Sequence, residues 1–472
     1  MLRPGRRGVG RVCAHNPHIN MEINERMSKR FAWLLGAVTL VSIGFLIACG
    51  SSYNRSSDGL VLVGSQGSGL VESFGFSLAS GTISQISNPP SSTSTQTCVL
   101  NGIPSSIVID PAGAFAYTII NANSLCSGSA NGIAAFKINS NGTIAATGTV
   151  TPFASATISG IAEPVTVVPS TMVMDAAGKF LFVADRATTD STGNSQVPGA
   201  VSVFTISNGT VTEVAGSPFF AMNPATTLPQ QGMDFVAVAA TPTVFPKTGV
   251  NGVQNSVCSD QGNSLPTTQY LYAADALGDQ VFEFQVDMTS GVLSYPGTTS
   301  AALAFAADKI PSGVVVDPCN RFVYVSNKQT NRISAYTICN GSLTQSVNCL
   351  ATDGSLVQVA NSPFSLTSSA NGPGPLAVDP FGNYVYVLNT LSGGISTLKI
   401  SPISGALTAN ANVTATGTTP TAIAVRADDN WLFVANYGSN TLSQYTITPA
   451  TGVLSPLPAV ETDNYPWGVA VK

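Results

Sequence analysis

A pattern recurs down this chain and leaves it little choice of fold. An apolar run opens on proline, a turn led by aspartate follows, and a second apolar run closes on Asn or Asp. The first copy runs from Pro104 to Asp110, turns at Gly113 and continues through Phe115-Ala-Tyr117. It returns as Pro169–Asp175 with Phe180–Asp185, as Pro311–Asp317 with Phe322–Asn327, as Pro375–Asp379 with Tyr384–Asn389, and as Pro420–Arg426 with Trp431–Asn436. A weaker copy, broken by an insertion, has Phe235-Val-Ala-Val and then Tyr270–Asp275.

Each copy can be read physically. Two short runs joined by Asp-Pro-x-Gly form a hairpin, because aspartate caps the turn and glycine accepts its left-handed residue. The second run is apolar on both faces (Phe180 and Phe182 on one, Leu181 and Val183 on the other), as expected of a strand sandwiched between neighbouring sheets. A third strand follows, as in Ile333–Ile338, and then a Gly-bearing turn and a fourth, as at Thr451–Leu454. Four strands in about 45 residues make one blade of a β-propeller.

The two ends also match. Pro466–Val471 is an inner strand with no blade after it, while Leu60–Val63 and Leu70–Phe76 are second and third strands lacking a first. Together they complete one blade. The expectation is an all-β chain forming a single seven-bladed propeller of four-stranded antiparallel blades. The broken middle copy leaves six or eight open.

Charged residues make up only 9% of the 472-residue chain, against 44% hydrophobic. Seven of the 19 basic residues precede Phe31, and the remainder carries 12 basic and 22 acidic side chains, so no basic stripe for nucleic acid exists. Lys29 and Arg30 lead an apolar run from Phe31 to Ala48 that ends Leu46-Ile47-Ala48-Cys49-Gly50. A basic start, an apolar core and small terminal residues describe an export signal. The ending resembles the bacterial lipobox, which implies lipidation of Cys49 and a chain anchored to the cell envelope. An uncleaved anchor helix is the alternative, though the run is short for a span. The domain reading is therefore 1–20 as an over-extended start, 21–48 as a lipoprotein signal peptide, 49–58 as the lipidated cysteine and a tether, and 59–472 as the propeller. Gly50 after the cysteine resembles the pattern for outer-membrane sorting.

His15 and His18, the only histidines, fall in the first segment. Export would give Cys98, Cys126, Cys258, Cys319, Cys339 and Cys349 an oxidising compartment, where disulfides are the default. Their places in the blades suggest 98–126, 258–319 and 339–349, although sequence alone allows other connectivities. No metal site and no cofactor is expected, since no CxxC pair exists and no histidine could join one.

The strand endings Tyr324-Val-Ser-Asn327, Tyr386-Val-Leu-Asn389 and Phe433-Val-Ala-Asn436 are similar to the repeat of YVTN-type propellers. The frame of proline, apolar run and Asp-Pro-x-Gly resembles the propeller lactonase family typified by 6-phosphogluconolactonase. That resemblance covers nearly all of residues 59–472 and implies hydrolysis of a lactone.

The residues themselves offer little catalytic machinery. Without histidine there is no Ser-His-Asp triad and no Cys-His pair. Asp185, Asp275, Asn327, Asn389 and Asn436 each end a second strand, where capping of the following turn is the plain reading. Charges that break the repeat are better site candidates. Arg186 follows Asp185, and Lys328 and Arg332 occupy the comparable loop of the fifth blade. Asp185 or Asp275 with Arg186 is the candidate catalytic set, and Lys328 and Arg332 are candidate ligand contacts.

Two functions compete on this evidence. One is a monomeric, lipid-anchored envelope module that binds a protein or glycan through long loops (186–200 and 241–268), since binding residues concentrate on loops held by a rigid scaffold. The alternative is a hydrolase of sugar or other lactones.

Overall fold

The computed structural model describes residues 58–472, apart from 88–99, 101, 124–129, 149, 156–166, 190–195, 223–228, 230–231, 244–246, 249–252, 255–267, 296–302 and 340–353. Tyr53–Lys472 form one compact unit. The expected signal segments, Cys49, and Cys98, Cys126, Cys258 and Cys349 all lie outside the described residues.

Every regular element described is a strand. The strands make seven sheets of blade form, and two small two-stranded ribbons lie apart from them. Blade one is the shared one: Pro466–Val471 pairs with Asp58–Ser65, which pairs with Leu70–Ser77, which pairs with Ile83–Ser87. Val61 faces Val471 and Val63 faces Val469, so the two ends of the chain close the ring as one antiparallel sheet. Blades two to seven follow in chain order, with innermost strands Ile103–Ile109, Val168–Met174, Phe235–Ala240, Pro311–Val316, Pro373–Val378 and Pro420–Val425.

The core consists of layers between blades. Each of seven buried clusters joins one blade to the next. Phe180, Phe182 and Phe235 link blades three and four, and Phe76, Trp431 and Phe433 link blades seven and one. A ring of seven sheets has seven such seams, so closure is visible in packing as well as in pairing. The second strands Phe322–Asn327, Tyr384–Asn389 and Trp431–Asn436 are buried along their whole length, as expected of strands with a blade on either side. Burying one large apolar side chain stabilises by roughly 1.5–3 kcal/mol, and each seam buries several.

The turns bear out their chemistry. Asp175 accepts the backbone N–H groups of Lys179 and Phe180 at 2.6 Å each, and Asp110 and Asp379 do the same in their blades. Gly113, Gly178 and Gly382 take the positive φ that these turns need. Blade six departs from the sequence reading. Pro373, not Pro375, faces Asn389 as Pro311 faces Asn327, because Gly374 and Pro375 add a bulge before Leu376 meets Val387.

The segments ending Ser217-Pro-Phe219 and Ser362-Pro-Phe364 are equivalent, since each serine hydroxyl accepts the N–H of a third-strand residue, Val203 or Ala335. Cys319 and Cys339 are both buried, and their expected partners Cys258 and Cys349 lie outside the described residues.

Candidate functional site

Loops joining second to third strands, and the connections between blades, gather at one end of the ring. There they surround a cavity of about 980 Å³, near the upper end of the range usual for small-molecule sites. Two repeat positions build its wall. One is the residue after the proline that starts each inner run, or after Phe235 in blade four: Ser105, Ser170, Val236, Ser312, Gly374 and Thr421 in blades two to seven, and Trp467 in blade one. The other follows the polar residue that ends each second strand: Gln66, Ala122, Arg186, Ala276, Lys328, Thr390 and Tyr437 in blades one to seven.

Three of the first set are structural. Ser170 donates to the Val236 carbonyl (3.0 Å), Ser312 to that of Pro373 (2.6 Å) and Thr421 to that of Pro466 (3.1 Å). Each of these hydroxyls ties its blade to the next and leaves little donor capacity facing the cavity.

The second set carries the charge. Arg186 is held in a fork by Asp234, Nε to Oδ1 and Nη2 to Oδ2, both at 2.7 Å. Asp234 is nearly buried (8% exposed) while Arg186 is open (46%), so the guanidinium is fixed yet reachable. Asp234 is itself placed by Asp275, whose Oδ1 accepts the Asp234 N–H at 2.8 Å. Lys328 is exposed on the fifth blade, and no hydrogen bond or ion pair holds its ammonium among the described residues. No Asp or Glu lines the cavity among the described residues.

The predicted residues thus divide. Arg186 and Lys328 both line the cavity. Asp185 does not: it is buried and accepts the Ser202 hydroxyl at 2.7 Å. Burial pushes its carboxyl well above the usual range, against the pull of that hydrogen bond. Asp275 is likewise buried and raised by burial, and it reaches Arg186 only through Asp234. Arg332 lies outside the lining and faces Asp308 at 4.0 Å.

The carboxyl and amide series that ends the second strands proves to be a clasp. Asn327, Asn389 and Asn436 donate to Ser334, Ser396 and Ser443 at about 3 Å, as Asp185 accepts from Ser202. In blade one Ser65 donates instead to Glu72, a buried carboxyl raised to about 7 chiefly by desolvation.

Sequence reasoning missed Asp234, Tyr437 and Trp467. Tyr437 stacks on Tyr465 with centroids 4.9 Å apart and meets Trp467 edge to face at 5.6 Å. Trp467 could have been found, because inner strands otherwise place Ser, Thr, Gly or Val at its position.

Fold and site together define a seven-bladed propeller with a cationic, partly aromatic mouth. Residues 262–356 and 343–470 match the family model described as Lactonase, 7-bladed beta-propeller. The resemblance carried by the repeat is thus also found by the family model, over residues 262–470. Among solved structures, a candidate 6-phosphogluconolactonase from Bacteroides uniformis is 18% identical, with a TM-score of 0.60 over 88% of this chain and 100% of that one. A periplasmic gluconolactonase from Pseudomonas aeruginosa is also 18% identical, with a TM-score of 0.57 over 88% of this chain and 99% of that one. At that identity the likeness speaks for the fold alone. No curated protein matches the chain.

Proposed function

We propose that this chain is a lactone hydrolase whose substrate sits in the mouth of the ring. The observation that carries the reading is the pair of cations there, Arg186 fixed by Asp234 and Lys328 with no partner among the described residues. The lactonase family match supports it. In the reaction, water oxygen bonds to the lactone carbonyl carbon and the carbonyl oxygen gains negative charge. The ring C–O bond then breaks, the departing alkoxide takes a proton, and an open hydroxy acid results. Arg186 and Lys328 would stabilise the oxyanion and later the carboxylate. Asp234 is a positioning residue, and Asp275 holds Asp234. With no carboxylate lining the cavity among the described residues, the rate should climb with pH as hydroxide becomes available.

The first of the two readings, an envelope-binding module, draws no support from the family match, and its alternative, the lactone reading, replaces it. Export, lipidation of Cys49 and attachment to the outer membrane or its periplasmic side remain part of the proposal, on the strength of Phe31–Gly50. So do a monomeric state and the bridges 98–126, 258–319 and 339–349. A Cys49→Ser chain released from membranes, and peptide mapping without reduction, would check these parts.

The activity test uses residues 50–472 with a panel of lactones, followed by acid release at constant pH. Turnover that falls about 100-fold in Lys328→Ala is expected, by analogy with the loss of one oxyanion donor. Rates equal to buffer for every lactone would end the hydrolase reading.

A further inference from the structure

The wall of the cavity differs from one side to the other. Its cations come from blades three and five, which flank blade four. Its aromatics, Tyr437 and Trp467, come from blades seven and one. In a ring of seven, blade four stands opposite the junction of blades seven and one. The polar end of a ligand and its body would therefore meet opposite walls.

The aromatic wall is open to solvent. Trp467 is 40% exposed and Tyr465, stacked on Tyr437, is 47% exposed. Leu391, which lines the cavity from blade six, beside blade seven, is also exposed, at 65%. Large apolar side chains grouped at the mouth of a cavity mark a contact surface more often than chance exposure does. The polar features of the wall suit a sugar poorly. A polyhydroxylated ring needs many donors and acceptors, yet no carboxylate lines the cavity among the described residues. Ser170, Thr171, Ser312, Thr390 and Thr421 donate to backbone carbonyls, as does Asn131, and the amides of Gln66 and Asn121 are what the wall adds.

We infer that the site takes lactones bearing an alkyl or aryl substituent, with the lactone head toward Arg186 and Lys328 and the apolar body against Tyr437 and Trp467. This inference rests on the lactone reading above and narrows it to a substrate class. It also gives Trp467 a role: it sets specificity for the apolar body and takes no part in the bond-breaking step.

The test measures calorimetric binding of γ-lactones of increasing chain length to residues 50–472, with gluconolactone beside them and hydrolysis followed in parallel. Affinity should rise about fourfold per methylene over the first few carbons, equivalent to ~0.8 kcal/mol for each buried CH₂. Trp467→Thr installs the residue type that blade seven carries at this position, so the strand should fold. It should flatten the chain-length dependence and weaken the longest lactone at least tenfold, far more than it weakens gluconolactone. Tyr465→Ala, at an exposed position, provides a second variant and should weaken the longest lactone to a smaller degree.

Gluconolactone binding as tightly as the long-chain lactones, or a chain-length dependence intact in both variants, would overturn the inference. Turnover of sugar lactones alone would overturn it while the hydrolase reading stood. Chain-length-dependent binding without turnover would uphold the substrate class and sink the hydrolase reading.

Discussion

The two ends of the propeller use charge in opposite ways. At the end bearing the turns between first and second strands, carboxylates recur from blade to blade and are taken up by their own surroundings. Asp110, Asp175 and Asp379 accept backbone N–H groups. Asp317 pairs with Arg321, which is 1% exposed. At the mouth, charge among the described residues appears in the wall from only two blades, as Arg186 and Lys328, and it faces open space. Repetition here marks what the fold needs, and departure from repetition marks what the fold leaves available for a ligand.

That contrast can be broken in several ways. The largest effect on stability is expected from Asp317→Ala. It strands a buried guanidinium otherwise held at Nε and Nη2 by 2.8 Å bonds, so urea denaturation should show a loss of about 3–5 kcal/mol. Lys328→Ala should leave stability within about 0.5 kcal/mol of the parent. A small loss for Asp317→Ala, or a large one for Lys328→Ala, would break the comparison at its root.

A second effect concerns two buried carboxyls outside both patterns. Glu283, in the third strand of blade four, has neither oxygen hydrogen-bonded among the described residues, and burial raises it to about 8. Asp429 occupies the turn position that is Gly382 in blade six. Burial and then the neighbouring Asp379 raise it to about 7. Both groups have folded pKa values above their unfolded ones. Their contributions are thus fully present below about pH 4 and are lost as pH rises toward 7 and 8. Glu283→Gln with Asp429→Asn should flatten that decline, gaining on the order of 2–4 kcal/mol over the parent at pH 8. Equal pH profiles for the parent and the double variant would show that neither group is perturbed in this way.

The smallest effect is expected from Asp185→Asn. Blades five, six and seven already use Asn to clasp a third-strand serine, so the substitution should change the melting temperature by a few degrees at most. Lactone turnover should stay within about twofold of the parent, since Asp185 is shielded from the cavity. A tenfold loss of turnover would return it to the site.

Most of the fold was legible in the sequence because a blade is a local object. Its turn aspartates, its doubly apolar second strand and its spacing all lie within about 45 residues of one another. The shared blade was legible too, since Pro466–Val471 lacks exactly the strands that Leu60–Phe76 supplies. The bulge at Gly374-Pro375 was not, because two prolines two residues apart offer the same signal. Arg186 and Lys328 stood out as charges in an otherwise neutral repeat position. Asp234 did not, because its meaning comes from contact with Arg186, 48 residues earlier in the chain. Glu283 and Asp429 were equally hidden, since burial at a seam between blades depends on the neighbouring blade. Asp185 and Asp275 looked like chemistry because the sequence shows residue type without showing depth.

The most direct test of the account is the hydrolysis of γ-decanolactone by residues 50–472, measured beside Lys328→Ala at matched folding stability. The account predicts turnover in the parent and about a 100-fold loss in the variant, with unchanged urea midpoints. Equal rates in the two proteins, or none above buffer in either, would contradict it.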